Sequence, residues 1–241
     1  MIRIENGFAP FETHMHTREV SPCGQCDAAV MMAAYAEAGY GGVFVTDHLS
    51  PYALAHYASD TNDYFNLTLT WPQIITRYLR GYDTAKLVGE PLGLKVFLGV
   101  EITLEQGPED YLLLGVDRKF LLAHKNIHTY SLPQLKAAMN QYGLPLYQAH
   151  PMRPRLTVQH HSHVDGLEVY NGNGGEERNR NTEVLDEAQK RGCLMIAGSD
   201  AHATNNVGRG GLWLPVDIDD GYDMARYIAE HNRDLRRIET P

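Results

Sequence analysis

Short apolar segments alternate along the chain with segments of helical periodicity. The strand-like segments are residues 11–17, 41–48, 95–103, 111–116, 144–150, 166–171 and 194–200. The helix-like segments are residues 27–38, 71–88, 131–142 and 182–191. Asp27 suits an N-cap, and Gly143 and Gly192 suit the ends of two of these helices. Because buried parallel strands are nearly all apolar and are joined by helix-length crossovers, the pattern predicts an α/β barrel with seven strands.

Five of the predicted strands end in side chains that commonly bind metals. These side chains are His14 and His16, Asp47 and His48, Glu101, His150, and Asp200 and His202. Residues two apart in a strand face the same side, so His-x-His and Asp-x-His pairs can bind one ion or two adjacent ions. Imidazole with carboxylate suits zinc, manganese or iron, and a closed structural zinc site is not favoured without a cysteine cluster. In barrels, functional side chains collect at the C-terminal ends of the strands, where we expect this metal site.

Composition narrows the class of protein. The chain has 241 residues, 43% of them hydrophobic, and we expect a single domain over residues 1–241. No apolar run reaches the ~18 residues of a membrane span, and residues 1–10 lack the pattern of a signal peptide, so we expect a cytoplasmic protein without a membrane partner. The three cysteines fit a reducing compartment. A net charge of −9 argues against an extended nucleic-acid groove, and twelve histidines favour a metal site.

The order and spacing of five short motifs resemble those of the polymerase and histidinol phosphatase (PHP) family. The motifs are His14-x-His16-Thr17, Thr46-Asp47-His48, Gly99-Val100-Glu101, Ala149-His150-Pro151 and Gly198-Ser199-Asp200-Ala201-His202. The resemblance covers nearly the whole chain. It implies a distorted (β/α)7 TIM-like barrel that holds up to three divalent ions in a cleft and acts as a phosphoric ester hydrolase.

The ligand pattern of the family can be placed on this chain residue by residue. The resemblance implies a first ion bound by His14, His16, Glu101 and Asp200. Glu101 would also bridge to a second ion bound by His150, and His48 and His202 would bind a third ion. Asp47, which precedes a ligand, could instead orient a neighbouring imidazole.

Two positions depart from the family pattern. After the His-x-His motif, where many members carry another His or an Asp, this chain offers Glu19 and Cys23. We expect Glu19 to complete the third site, because a carboxylate keeps the hard character of the ligand set. After the strand at 111–116, where members often place a histidine, we expect Asp117 to bind the second ion. Glu168, on another apolar strand, could be a ligand, could orient one, or could bond locally.

The chemistry expected of this centre is hydrolysis by a metal-activated water. Two or three divalent ions lower the pKa of a bridging water and clamp a phosphoryl group, so no protein nucleophile is needed. Asp200 or His202 could carry the leaving-group proton. Arg153, and Arg178 or Arg180, could bind phosphoryl oxygens, although exposure to solvent explains the last two equally well.

The sequence therefore favours a metal-dependent phosphoesterase that acts on a small phosphorylated metabolite or nucleotide. One alternative is a nuclease or exonuclease of the polymerase-associated type, which the acidic charge disfavours. The other is a catalytically inactive metal-binding barrel, which the nearly complete ligand pattern disfavours. Residues 51–70 form a polar and aromatic insertion that could be a lid over the site or a surface loop.

Overall fold

The structure is a computed structural model that describes residues 1–54 and 69–240. Its strands are β1 (Phe8–Glu12), β2 (Gly42–Val45), β3 (His48–Leu49), β4 (Lys95–Thr103), β5 (Asp110–Leu114), β6 (Tyr147–Gln148), β7 (Gly166–Asn171), β8 (Leu194–Gly198), β9 (Gly210–Pro215) and β10 (Arg237–Glu239). Its α-helices are α1 (Ala28–Glu37), α2 (Trp71–Tyr78), α3 (Arg80–Gly89), α4 (Arg118–Ala123), α5 (Leu132–Tyr142), α6 (Gly175–Asn179), α7 (Asn181–Arg191) and α8 (Gly221–Glu230). Residues 55–68, most of the insertion predicted at 51–70, lie outside the described residues. The two alternatives for this insertion, a lid or a surface loop, therefore stay predictions.

Local sequence signals explain where several helices begin and end. Ser131 and Gln134 form a capping box at the start of α5, and Pro133 occupies the first turn of that helix. Gly143 ends α5 in the left-handed conformation, with φ at 80°. The helix predicted at 71–88 is interrupted at Leu79, which separates α2 from α3.

The strands form one mixed sheet that nearly closes into a barrel. Their order is β10-β9-β1-β2-β4-β5-β6-β7-β8, and β3 pairs with β4 beside this path. The pairs β1–β2, β2–β4, β6–β7 and β7–β8 are parallel. The pairs β4–β5, β5–β6, β1–β9 and β9–β10 are antiparallel. The predicted α/β barrel is confirmed, but its sheet is mixed rather than purely parallel.

The reversed direction of β5 follows from a short connection. Only residues 104–109 separate β4 from β5. A parallel crossover needs roughly a dozen residues or more, so the chain turns back and β5 runs antiparallel to β4. As a result β5 starts, at Asp110, on the edge of the barrel where β4 ends, and the segment that follows β5 lies at the opposite edge.

The barrel closes where the chain leaves β1 and β8. The amide of His16 donates to the carbonyl of Ala201 at 2.9 Å, and the amide of Ala201 donates to the carbonyl of His14 at 3.1 Å. The amide of Gly210 at the start of β9 donates to Ser199 Oγ at 2.8 Å. These bonds place the segments after the first strand and after β8 side by side.

Aromatic side chains from three neighbouring strands pack together in the core. Phe11 stacks on Phe97 with ring centroids 6.2 Å apart, and Phe44 lies 5.1 Å from Phe97. All three are buried, so the strands β1, β2 and β4 are fixed beneath the edge that carries the predicted ligands. None of the helices in the described ranges has the length and apolar composition that a bilayer span requires.

Candidate metal centre

The strand-end side chains predicted to bind metals meet at one edge of the barrel. Among the described residues, four sets of three side chains each place one ligand atom within 4.8 Å of the others. The four ligand sets are His14, Glu101 and His150; His14, His16 and Asp200; His16, His48 and His202; and His48, Glu101 and Asp110. Three of the sets consist entirely of predicted ligands, so the sequence located this cluster.

Glu101 lies at the middle of the cluster. Its Oε1 is 2.9 Å from His150 Nε2 and 3.3 Å from His14 Nε2. Its Oε2 is 3.0 Å from His48 Nδ1 and 3.3 Å from His16 Nε2. The register of the short strand β3 explains one of these contacts, because His48 pairs directly with Glu101 of β4. A carboxylate with one oxygen towards each side of the cluster has the geometry of a bridging ligand.

Three buried atoms of the cluster residues lack a hydrogen-bond partner among the described residues. They are His14 Nε2, Glu101 Oε2 and His150 Nδ1. A buried carboxylate oxygen without a hydrogen bond is costly, and a divalent cation coordinated by carboxylate and imidazole removes that cost. The donor set and these atoms therefore fit a metal ion.

The backbone at two ligands adopts a conformation that L-residues seldom use. Asp200 has φ at 49° and His150 has φ at 26°. Left-handed backbone at residues other than glycine is uncommon and gathers at functional sites. It directs both side chains into the cluster immediately after β8 and β6.

Glu168 of β7 orients two of the ligands. Its Oε1 lies 2.8 Å from His14 Nδ1, which leaves His14 Nε2 facing the cluster. Its Oε2 accepts hydrogen bonds from the His150 amide at 2.9 Å and from Asn171 Nδ2 at 2.9 Å. The open question about Glu168 is therefore answered in favour of a residue that positions the ligands.

Asp47 acts on His16 through a serine. His16 Nδ1 lies 3.2 Å from Ser21 Oγ, and Ser21 Oγ donates to Asp47 Oδ1 at 2.6 Å. Asp47 also accepts hydrogen bonds from the Thr17 amide and hydroxyl, at 2.7 and 2.6 Å. Gly81 of α3 lies so close to this group that an added Cβ would be 2.0 Å from Thr17 Oγ1. The expected orienting role of Asp47 matches this arrangement, whereas Ser21 carried no sequence signal.

Two carboxylates of the cluster, Glu101 and Asp200, stay ionised despite their burial. Burial favours the neutral acid, but interactions with the imidazoles of His48 and His14 hold the pKa of Glu101 well below its usual range. For Asp200, burial is outweighed by His14, a hydrogen bond to His16 and the charge of Arg153, and its pKa is also far below the usual range. Both side chains are therefore available as anionic ligands.

Comparisons with known proteins support the resemblance that the five motifs carry. The sequence model of the PHP-associated family, PHP_C, matches residues 178–232. A two-domain protein from Bacteroides vulgatus that contains a predicted PHP-like metal-dependent phosphoesterase shares the fold, with a TM-score of 0.66 at 17% identity over 100% of this chain and 68% of that one. The resemblance to the PHP family is therefore supported by a family model over this segment and by the fold. No curated protein matches the chain.

Two further solved structures share the fold of this chain. PsfC from Pseudomonas syringae has a TM-score of 0.63 at 19% identity, over 97% of this chain and 92% of that one. An amidohydrolase from Chromobacterium violaceum, with bound sulfate and no metal, has a TM-score of 0.53 at 15% identity, over 81% and 88% of the two chains. At these identities the likeness concerns the fold alone.

Asp110 lies in the ligand cluster, and Asp117 does not. Asp117 caps α4, where its side chain accepts a hydrogen bond from the Phe120 amide at 2.7 Å, so the expectation that it binds the second ion is corrected. Because β5 is antiparallel, its start rather than its end faces the cluster. Asp110 pairs across the sheet with Thr103, two residues after Glu101, and therefore shares the face of Glu101. The sequence analysis missed Asp110 because it expected ligands only at the C-terminal end of each strand.

Glu19 also lies outside the four ligand sets. Both of its carboxylate oxygens are 3.0 Å from the Ala28 amide, so the side chain satisfies the first turn of α1. Asp27, at the N-cap position itself, makes no capping bond and pairs with Arg18 instead. The expectation that Glu19 completes the third site is therefore corrected. The alternative, Cys23, lines the cavity above the cluster but likewise belongs to none of the sets.

The cavity above the ligand cluster has a volume of about 540 Å³. Besides the cluster, the residues that line it are Cys23, Gln25, Arg153, Asn173, Arg178, Asn205 and Asn206. A larger cavity of about 690 Å³ lies at the opposite edge, around Lys95 and Asp117. Lys95 is ion-paired with Asp219 and Arg118 with Asp83, so charges in the larger cavity are neutralised locally. Ligand chemistry, and not volume, identifies the site.

The three arginines expected at the site have different surroundings. Arg153 is largely buried and donates to Asp200 Oδ2 at 2.7 Å. Arg178 lines the cavity, and the nearby charge of Arg153 lowers its pKa. Arg180 is exposed and ion-paired with Glu183 at the start of α7. Of the alternatives Arg178 and Arg180, the structure brings only Arg178 to the site.

Proposed function

We propose that this chain is a PHP-type metal-dependent phosphoesterase that hydrolyses a small phosphorylated metabolite or nucleotide at a centre of two or three divalent ions. The observation that carries the proposal is Glu101, whose two oxygens face four imidazoles while Oε2 has no hydrogen-bond partner among the described residues. Manganese, iron and zinc all suit such ligands.

The four ligand sets suggest which residues hold each ion. His14, His16 and Asp200 would hold the first, and Glu101 with His150 would hold the second. A third ion would be held by His16, His48 and His202. Alternatively, His48 would bind an ion together with Glu101 and Asp110. When bound, the ions supply a water of lowered pKa and positive charge for the phosphoryl oxygens.

Asp200 is poorly suited to carry the leaving-group proton, because Oδ1 faces the metal ligands beside His16 Nε2 and Oδ2 accepts from Arg153. We therefore assign the proton transfer to His202 in a centre of two ions. His202 Nδ1 donates to the carbonyl of Asp200 at 2.8 Å, which leaves Nε2 as a base. This nitrogen would first take up the proton that the attacking water releases and would then pass it to the leaving group.

The nuclease alternative is less well supported. Arg153 and Arg178 are the cationic side chains among the described residues that line the cavity, and one of them is already bonded to Asp200. Binding a run of phosphates draws on many more basic contacts. The inactive-barrel alternative is disfavoured by the intact cluster of ionised carboxylates and imidazoles.

A substrate panel on protein of defined metal content tests the proposal. Metal-free protein is reconstituted with manganese, iron or zinc and assayed on sugar phosphates, nucleotides, phosphodiesters and oligonucleotides. We expect release of phosphate from a small monoester or nucleotide, abolished by EDTA and restored by metal. Processive digestion of oligonucleotides in preference to small esters would favour the nuclease. Fully metallated protein without turnover on any member of the panel would favour the inactive barrel.

A further inference from the structure

Arg153 is surrounded by the loop that follows β7. Its Nε donates to Asn179 Oδ1 at 2.7 Å, and its Nη2 donates to Asn171 Oδ1 at 2.9 Å and to the Asn173 carbonyl at 3.2 Å. The same Nη2 donates to Asp200 Oδ2 at 2.7 Å. The guanidinium therefore connects the Asn-rich loop to a ligand of the metal centre.

The loop that accepts these bonds is itself fixed. Asn179 Nδ2 donates to the carbonyls of Asn171 and Asn173, at 2.9 and 2.8 Å. The Asn171 amide donates to Asn181 Oδ1 at 3.0 Å. Asn171 and Asn179 are fully buried or nearly so. A buried, mutually bonded loop of this kind holds Arg153 in one orientation.

The two oxygens of Asp200 consequently face different partners. Oδ1 lies 3.1 Å from His16 Nε2 and 3.5 Å from His14 Nε2, on the side of the cluster. Oδ2 accepts from Arg153, and Asn171 Nδ2 and Asn173 Nδ2 lie 3.3 and 3.5 Å away. Only Oδ1 is left for a metal ion, so the surroundings favour Asp200 as a ligand through one oxygen.

We propose that Arg153, with Asn171 and Asn179, is a positioning clamp that fixes Asp200 for metal binding, and that the substrate anion is bound by Arg178 instead. The proposal rests on the proposed metal-dependent function. Two of the three nitrogens of Arg153 are engaged within the clamp. Arg178 lines the same cavity and makes no hydrogen bond or ion pair to another described residue, so its guanidinium is available to a phosphoryl group.

Metal affinity and phosphate affinity separate the two roles. Manganese binding to metal-free protein is measured by titration calorimetry, and inorganic phosphate binding is then measured on the manganese-loaded protein. Loss of a residue that orients a ligand typically costs roughly 10–100-fold in metal affinity, which we expect for Arg153→Met. Arg153→Lys should recover only part of it, because an ammonium cannot reproduce the planar set of donors. Asn179→Ala, which does not contact Asp200, should weaken manganese binding by a smaller factor.

Arg178→Met should show the opposite behaviour. We expect manganese affinity equal to that of the parent and weaker binding of inorganic phosphate. Arg155→Met is the matched control, because Arg155 is exposed and two residues from Arg153, and it should change neither affinity. Thermal unfolding of each variant establishes that it is folded. If Arg153→Met does not fold, Arg153→Lys and Asn179→Ala decide the question.

Several results would overturn the clamp. Parent-like manganese affinity with weakened phosphate binding in the Arg153 variants would make Arg153 the anion-binding residue. Parent-like phosphate binding in Arg178→Met would remove Arg178 from that role. A parent protein that binds manganese but hydrolyses no ester contradicts the proposed function and leaves the test of the clamp intact. A parent that binds no manganese contradicts both.

Discussion

The two halves of the candidate centre differ in burial and in charge. His14 and His16, in the inner half beside Asp200, have fully buried side chains, whereas those of His48 and His202, in the outer half, are 22% and 15% exposed. Burial opposes protonation of His16, yet hydrogen bonds to Asp200 and Glu101 raise its pKa to about 9. Burial lowers the pKa of His48 to about 4, and burial with the charge of His16 lowers that of His202 to about 4.

The difference shows where positive charge is needed. The inner half concentrates ionised carboxylates, which require either protons on the imidazoles or divalent ions. The outer half has two neutral imidazoles and Asp110, whose pKa burial raises to about 6, and it gains less from a cation. We therefore expect tight binding of metal in the inner half and weaker binding in the outer half. Five experiments can break or sharpen this comparison.

Glu101→Gln should have the largest effect, because the carboxylate of Glu101 faces imidazoles of both halves. The change keeps the volume and removes the negative charge that faces four imidazoles. We expect metal content and hydrolysis to fall together, by more than the roughly 100-fold that loss of an orienting residue costs. Metal analysis of purified protein and initial rates measure the two quantities. Parent-like metal content and rate in this variant would rule out a bridging role.

A matched pair of alanine variants compares the two halves directly. His14→Ala should remove tightly bound metal and nearly all activity, because His14 belongs to two of the ligand sets and is completely buried. His202→Ala should lose only weakly bound metal and retain a larger share of the rate. Equilibrium dialysis against manganese at graded concentrations distinguishes tight from weak sites. Equal losses in the two variants would contradict the division into an inner and an outer half.

The pH dependence of stability should follow the inner half. The pKa of His16 is raised from 6.5 to about 9 in the folded protein. Its ion pairs therefore stabilise the metal-free protein fully below about pH 6.5, and this contribution is lost as the pH rises towards 9. Metal must displace the same proton, so the increase in Tm on adding manganese should grow across this window. Thermal unfolding with and without manganese tests this, and a constant increase would contradict it.

The contrast between predicted and observed ligands has a physical explanation. Apolar runs followed by His, Asp or Glu located most of the cluster, because parallel strands all end at the same edge of a barrel. Hydrophobic periodicity indicates that a segment is a strand, but it does not indicate the direction of that strand in the sheet. The reversal of β5 could therefore not be predicted from the pattern. The contacts of Ser21, Asn171 and Asn179 arise from tertiary packing between distant segments, and no local pattern signals them.

Asp110→Asn tests the ligand that the reversed strand brings to the outer half. Asp110 shares a ligand set with His48 and Glu101, and it lies 3.8 Å from His150 Nε2. We expect weaker binding of the outer metal and a partial loss of rate, smaller than the loss in His14→Ala. Glu109→Gln is the matched control, because it changes an adjacent carboxylate that belongs to no ligand set. Parent-like titration with manganese in Asp110→Asn would exclude Asp110 as a ligand.

Asp117→Ala should have the smallest effect on the centre, although Asp117 follows the same strand. Its carboxylate caps α4 through the Phe120 amide, and loss of an N-cap costs about 1 kcal/mol of stability. We therefore expect a lower Tm with unchanged metal stoichiometry and unchanged metal affinity. Adding manganese should raise the Tm of this variant as much as that of the parent, since the ion binds only at the other end of β5. A loss of metal from Asp117→Ala, with none from Asp110→Asn, would mean that β5 runs in the direction that the sequence alone suggested.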